Sequence, residues 1–309
     1  MNAPDPIFAL ESTCQTLREL HRQRQDLHRA EKSLTLQIRA KCRRVAGLSF
    51  EKMAEQKKEA DKIYAAIFGE GEHPAALLLT GSCEPFIQAR DGIVGINAKG
   101  KKEVVHKGFI HQRAEIEKQM EALAKTLPVA PWVAATKGFG FGNLAAVIAE
   151  TGNLSLYANP AKVWKRMGLA VIGGGRQRRV TGKEALKHGY SPIRRSVMWN
   201  VGQCLFKAQS ARVDKETGEI KTPAGPLRVI YDEQKALCMA KLEARAAADP
   251  EHAKKYMKLD ADGEPIKYSP KAHAHNMALR YVEKRALRDL WRAWRDAVGG
   301  VCVDGEESE

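Results

Sequence analysis

Leucine and isoleucine recur with a period near 3.5 at the start of the chain, at Leu17, Leu20, Leu27, Leu34 and Ile38. The stretch 7–45 contains no Gly or Pro and is rich in Leu, Arg, Gln, Lys and Glu, all good helix formers. Arg24 and Glu31 fall on the same series and interrupt it. The pattern predicts a long, partly polar coiled-coil helix. Gly47 ends it, Ser49 is placed to cap a second helix over 50–68, and Pro74 opens an apolar helix through Leu79. Between 81 and 108 several glycines break any period, and the reading is an irregular loop with a Lys-Gly-Lys-Lys tip ending at Lys102. A helix is expected over 103–127, with Phe109, Ile116, Met120, Leu123 and Leu127 on one stripe and Pro128 stopping it. That stripe packs antiparallel on the first helix or pairs between two protomers, and the pattern fits both.

The second half is punctuated differently. Val133 and Ala134 lead into glycines at 138, 140 and 142, and apolar residues resume at Leu144, Ala145, Val147 and Ile148. This predicts two short helices around a sharp glycine turn, with amide groups uncovered at the start of the second. Such a helix-hairpin-helix grips a nucleic-acid backbone; the same residues also fit a glycine turn that only packs two helices together. A short helix over 161–167 carries Trp164, and the triplet Gly173–Gly175 reads as a flexible lead into clustered arginines. Ser191-Pro192 caps a helix over 193–211. A linker over 213–226 precedes a helix over 227–248, and an acidic loop at 260–265 precedes the last helix. That helix carries an apolar stripe of Ala274, Met277, Ala278, Tyr281, Val282, Ala286, Leu290 and Trp294.

The expected fold is therefore mainly α: a coiled-coil-like helical region over 1–127, a helix-hairpin-helix-containing helical domain over 128–298 with an insertion at about 213–269, and an acidic tail over 299–309. With 309 residues, 44% hydrophobic and 28% charged, the composition is that of a folded globular protein. No apolar run approaches a membrane span and no signal peptide is visible, so the expectation is a cytoplasmic, nucleoid-associated protein with no membrane partner. Six scattered cysteines with no CxxC read as reduced thiols.

Charge sharpens the picture. From Ala161 to Arg212 the chain carries twelve Lys or Arg against the single acid Glu184, which is most of the formal excess of +14. A polyanion partner is the economical explanation. The candidate phosphate contacts are the backbone amides of Gly138, Gly140, Gly142 and Asn143 and the side chains of Arg176, Arg178, Arg179, Lys183, Lys187, Arg194 and Arg195. The last two sit in the first turn of a helix, where cations oppose the dipole unless an anion is close. Glu150 reads as structural. His273 and His275 flank Ala274 and project about 200° apart on a helix, so they cannot share one metal ion. The acids Asp249, Glu251, Asp260, Asp262 and Glu264 read as a solvated loop. No metal site and no cofactor are expected.

In combination, several stretches resemble the C-terminal domain of the insertion-sequence one-ten family of transposases, the bridge-RNA-guided recombinases. They are Lys137-Gly-Phe-Gly-Phe-Gly142, Val147-Ile-Ala-Glu-Thr-Gly-Asn153, Trp164-Lys-Arg-Met-Gly-Leu-Ala170, Lys187-His-Gly189 and Ile193-Arg-Arg195, with His273–Arg280 and Lys284–Trp291 resembling the closing helix. The resemblance spans roughly Pro128 to Arg295, and the helices before it resemble the family's coiled coil. It implies DNA as partner, with a structured guide RNA, a RuvC-like nuclease partner and self-association through the coiled coil also in view. Two features depart from the family pattern. The acidic DEDD set that holds two metal ions is not found, so Mg²⁺ would enter only through a nuclease partner. Glycine stands in the 173–175 loop where the family has its nucleophilic serine. Thr181, Ser191 and Ser196 are the nearest hydroxyls; Ser191 is kept as a candidate nucleophile but is better read as a helix cap. The expected function is DNA binding in transposition or recombination of a mobile element, without complete strand chemistry of its own. The alternative is a domesticated, non-enzymatic backbone-binding accessory or nucleoid protein.

Overall fold

Helices dominate the computed structural model, which describes residues 6–47, 53–97, 99–254, 256–259 and 265–299. In chain order the elements are α1 (Pro6–Val45), α2 (Met53–Ile67), α3 (Pro74–Asp91), β1 (Ile93–Ile96), β2 (Lys102–His106), α4 (Phe109–Ala124), α5 (Ala130–Ala135) and α6 (Phe141–Thr151). There follow a 3-10 turn at Leu154–Leu156, then α7 (Pro160–Arg166), β3 (Val171–Ile172), β4 (Gly175–Arg176), α8 (Lys183–His188), α9 (Pro192–Ala208), β5 (Arg212–Val213) and β6 (Ile220–Thr222). The chain closes with α10 (Pro226–Ala248), α11 (Pro250–Lys254), β7 (Met257–Leu259), β8 (Pro265–Tyr268) and α12 (Lys271–Ala297). The strands form four separate two-stranded antiparallel hairpins. The fold is mainly α. Ser49, Asp260, Asp262, Glu264 and the tail from 300 onward lie outside the described residues.

The chain divides into two compact units, Glu19–Met120 and the remainder, which joins the residues up to Arg18 to those from Glu121 onward. The expected boundary at 127 differs from this division at both ends. In the Glu19–Met120 unit, Ile38, Cys42, Ala60, Ile63, Leu79 and Cys83 form a buried cluster flanked by Tyr64, Phe68 and Phe86. Leu79 and Cys83 lie one helical turn apart in that cluster, and α3 runs to Asp91 rather than stopping at Leu79. Burial carries the helix past Gly81 and Pro85, residues that local propensity alone would use as stops. The expected loop over 81–108 is thus the end of a helix followed by a β-hairpin. Asn97 closes its tip, with Oδ1 accepting from the amides of Lys99 and Lys101 at 3.0 Å. Because Glu103, Val104 and His106 pair with β1, α4 begins at Phe109 and not at Glu103.

Arg24 and Glu31, the residues that interrupt the apolar series of α1, bond to α4. Arg24 Nε lies 2.8 Å from Glu117 Oε1, and Arg113 meets Glu31 and Glu117, each at 2.9 Å. The lower-numbered α1 residue pairs with the higher-numbered α4 residue, so the two helices run antiparallel.

In the larger unit, α12 is the central element. Ala274, Ala278, Leu279, Val282, Ala286, Leu287, Leu290, Trp291 and Trp294 are buried along it. The buried row includes Leu279, Leu287 and Trp291, whereas the predicted stripe members Met277 and Tyr281 are exposed. Three tryptophans fasten α12 to the segment after α6. Trp164 Nε1 donates to Lys284 O at 3.0 Å, Trp291 Nε1 to Tyr157 O at 3.0 Å, and Trp294 Nε1 to Asn153 Oδ1 at 3.1 Å. Burying an indole is favourable when its N–H is satisfied, and each of these is. Buried Gln209 at the end of α9 joins two further elements, with Nε2 donating to Lys137 O at 2.9 Å and Oε1 accepting from the α10 amide of Leu227 at 2.9 Å.

Candidate nucleic-acid interface

The expected site residues fall into three local environments. The first is the turn between α5 and α6. Gly138 has φ +88°, and a Cβ there would lie 2.6 Å from Ala208 Cβ and 2.9 Å from the Cys204 carbonyl, so the turn is pressed against α9. A Cβ on Gly142 would lie 3.1 Å from Glu121 Oε1. That carboxylate therefore occupies the first turn of α6, where the dipole favours an anion. Asn143 donates its side-chain amide back to Phe139 O. Gly140, the helix cap at φ +68°, is exposed with nothing near its α-carbon substituent position. The turn is thus close-packed at Gly138 and Gly142 and open at Gly140.

The second environment is the start of α9. Ser191 is its N-cap and accepts from the Arg194 amide at 3.5 Å, which is the capping role expected of it. Arg194 and Arg195 oppose the helix dipole, and each has an internal carboxylate: Arg194 Nε lies 3.2 Å from Glu150 Oε2, and Arg195 Nη1 lies 2.8 Å from Glu283 Oε2. The anion that their position called for is supplied by the protein. Glu283 has no exposed side-chain surface, and burial pushes its carboxyl up from 4.5 to about 7 in spite of Arg195 and Arg280 nearby. No motif singles out Glu283, which sits in the row of an apolar helix face.

The third environment is the basic run from α7 to α8. The glycine triplet is not a flexible lead: Val171 pairs with Arg176 and Ile172 with Gly175, and Gly173 and Gly174 make the two-residue turn with φ +56° and +73°. Positive φ at both central positions matches the twist of a tight hairpin and requires glycine-like freedom. Buried Gln177 fixes this hairpin. Its amide donates to Ala170 O at 2.9 Å, its Oε1 accepts from Ala170 N at 3.1 Å, and its Nε2 donates to the carbonyls of Lys165 and His188. With Gln177 turned inward, the flanking Arg176 and Arg178 are turned outward by the period-two alternation of an extended chain, and both are exposed, as are Arg179, Lys183 and Lys187. Lys187 meets Glu184, the sole acid of this stretch, at 3.8 Å.

Two clefts border α7. One, of about 530 Å³, is walled by Leu156, Tyr157 and Ala158 and by Lys162, Lys165, Arg166, His188 and Arg194. The other, of about 380 Å³, is walled by Ala161, Ala170, Val171 and Ile172, with Lys162, Lys165 and Lys187. Lys162 and Lys165 belong to both. Asn159 Oδ1 caps α7 by accepting from the Lys162 amide at 3.2 Å. Arg166 donates to the Glu150 carbonyl at 2.9 Å, and burial followed by the charge of Arg194 holds its pKa below the usual arginine value. His188 Nδ1 accepts from the Arg178 amide at 3.3 Å, which leaves Nε2 as its protonated donor. Lys162, Lys165 and Arg166 were not among the expected phosphate contacts, although Lys165 and Arg166 lie in the stretch Trp164-Lys-Arg-Met-Gly-Leu-Ala170. Their signal was present as Asn159-Pro160, a helix start, followed by lysines three apart on one face.

His273 lies against the Tyr256 ring and His275 bonds Tyr231 Oη at 2.6 Å, so the two histidines serve separate contacts. Among the described residues no group of three or more His, Cys, Asp or Glu is placed to hold a metal ion, and no helix is long and apolar enough to cross a membrane. Comparison with protein-family models, curated proteins and solved structures returns no match to this chain.

Proposed function

We propose that the chain binds the sugar–phosphate backbone of nucleic acid, in the manner of a transposase C-terminal domain and without strand-cleavage chemistry of its own. The observation that carries this reading is the run of exposed cations from α7 through α8, namely Lys162, Lys165, Arg176, Arg178, Arg179, Lys183 and Lys187, held on ordered backbone with one acid among them. Point charges on a fixed scaffold suit a phosphate strand, and contacts of this kind position the protein without reading sequence. The glycine turn lies close to α9 at Gly138 and to Glu121 at Gly142, so the exposed cationic run is taken as the main contact. The N-cap role of Ser191 favours the non-enzymatic form, an accessory or nucleoid protein derived from a mobile element.

The test is binding to duplex DNA, single strands and structured RNA across a salt series, with a cleavage readout in Mg²⁺. Salt-sensitive binding with neither nicking nor a covalent adduct is expected. A protein–DNA adduct that disappears in Ser191→Ala overturns the non-catalytic part, and no binding at modest salt overturns the whole.

A further inference from the structure

The two clefts beside α7 differ from a flat basic surface in a way that selects among nucleic acids. Each pairs an apolar wall with the same two lysines. On one side, Leu156 is 73% exposed and stands next to Tyr157. Tyr157 is held at both ends, by its hydroxyl donating to Thr151 O at 2.8 Å and its carbonyl accepting from Trp291. On the other side, Val171 is 64% exposed and stands next to Ile172 on the pinned β3–β4 hairpin. Exposed aliphatic groups this close to lysines are surfaces for a ligand that is itself anionic in one part and apolar in the next. Behind the first wall, Arg194 Nε lies 3.2 Å from the Glu150 carboxylate and Arg166 donates to the Glu150 backbone carbonyl at 2.9 Å, so both guanidinium groups border this cleft.

We propose that α7 seats two consecutive nucleotides of an unpaired strand, the phosphodiester between them over Lys162 and Lys165 and one nucleoside in each cleft. This rests on the backbone-binding reading and adds the class of strand. The chemistry of the ligand alternates as the site does: apolar ring, anion, apolar ring. A cleft of about 530 Å³ falls within the range of roughly 300–1,000 Å³ typical of pockets for one small molecule. A base can enter only after leaving its stack, and in a duplex its faces are hidden. Aliphatic and tyrosine walls accept any base face, so the site discriminates strandedness rather than sequence.

The experiment uses the full chain and anisotropy of labelled oligothymidylate, oligouridylate, a mixed-sequence duplex of equal length, and oligothymidylate bearing abasic sites. Single strands are expected to bind about ten-fold more tightly than duplex, and the abasic strand about ten-fold more weakly than the intact one. Leu156→Ser and Val171→Ser, both at exposed positions that spare the core, should each weaken the intact strand several-fold and leave the abasic strand unchanged. Lys162→Ala with Lys165→Ala should weaken both strands and lower the salt slope by about two. The thymidylate and uridylate probes differ in both the sugar and the C5 methyl, so tighter binding of either one than of duplex supports the site. Equal affinity for duplex and single strand, or for intact and abasic strands, overturns it while leaving backbone binding in place. Failure to bind any probe at low salt removes both readings together.

Discussion

At the scale of single residues, the turn between α5 and α6 illustrates how one pattern serves two purposes with different penalties. Gly138 is needed for both its positive φ and its contact with α9, whereas Gly140 is needed for φ alone. Gly138→Ala should therefore cost about 2–5 kcal/mol and Gly140→Ala about 1–3 kcal/mol in urea unfolding. Equal losses would show that the contact with α9 contributes nothing. Glu283 gives a second prediction. Its folded value of about 7 lies above the ordinary 4.5, so within that window the folded chain holds a proton that the unfolded chain has released. Stability present below about pH 4.5 is then lost as pH rises toward 7. Glu283→Gln, neutral throughout, should flatten that slope, measured by urea unfolding across the window; a curve parallel to the parent would contradict it. Neither role was legible in the sequence. A glycine that touches a neighbouring helix looks the same as one that bends a loop, and a glutamate on an apolar face gives no sign that Arg195 is beside it.

At the scale of elements, the period of apolar residues identified α1, α4 and α12, because a long amphipathic pattern leaves few alternatives, and the Ser191-Pro192 cap identified α9. The interruptions at Arg24 and Glu31 looked like flaws in a coiled coil and are the ion-paired contacts to α4. The sequence misjudged short elements whose shape depends on partners. The β1–β2 hairpin was read as irregular, and the β3–β4 hairpin as a flexible glycine segment. What orders the latter is Gln177, whose bonds run to the ends of α7 and α8 as well as to Ala170. Removing that amide takes a part-buried partner from the Ala170 amide and the His188 carbonyl. Gln177→Ala should cost about 2–4 kcal/mol and raise hydrogen exchange in residues 170–178. Unchanged protection there would mean that the hairpin is ordered by something other than this side chain.

At the scale of the whole molecule, the distribution of charge was the most legible functional feature. The basic excess between Ala161 and Arg212 can be counted without a structure. What the count could not show is how that charge is used. Arg194 and Arg195 are matched by Glu150 and Glu283, while Lys162, Lys165 and Lys187 line the two clefts and Arg176, Arg178, Arg179 and Lys183 are exposed beside them in the chain. Those outward cations are the basis of the proposed backbone binding, and each one that touches a phosphate releases counterions in proportion. The most direct measurement is the slope of log affinity against log salt for the parent chain and for Arg176→Ala, Arg178→Ala and Arg179→Ala combined, on one oligonucleotide. If these three arginines lie on the strand, the slope should fall by about two to three and affinity should drop most at low salt. An unchanged slope, with the variant folded and bound as before, would contradict the account.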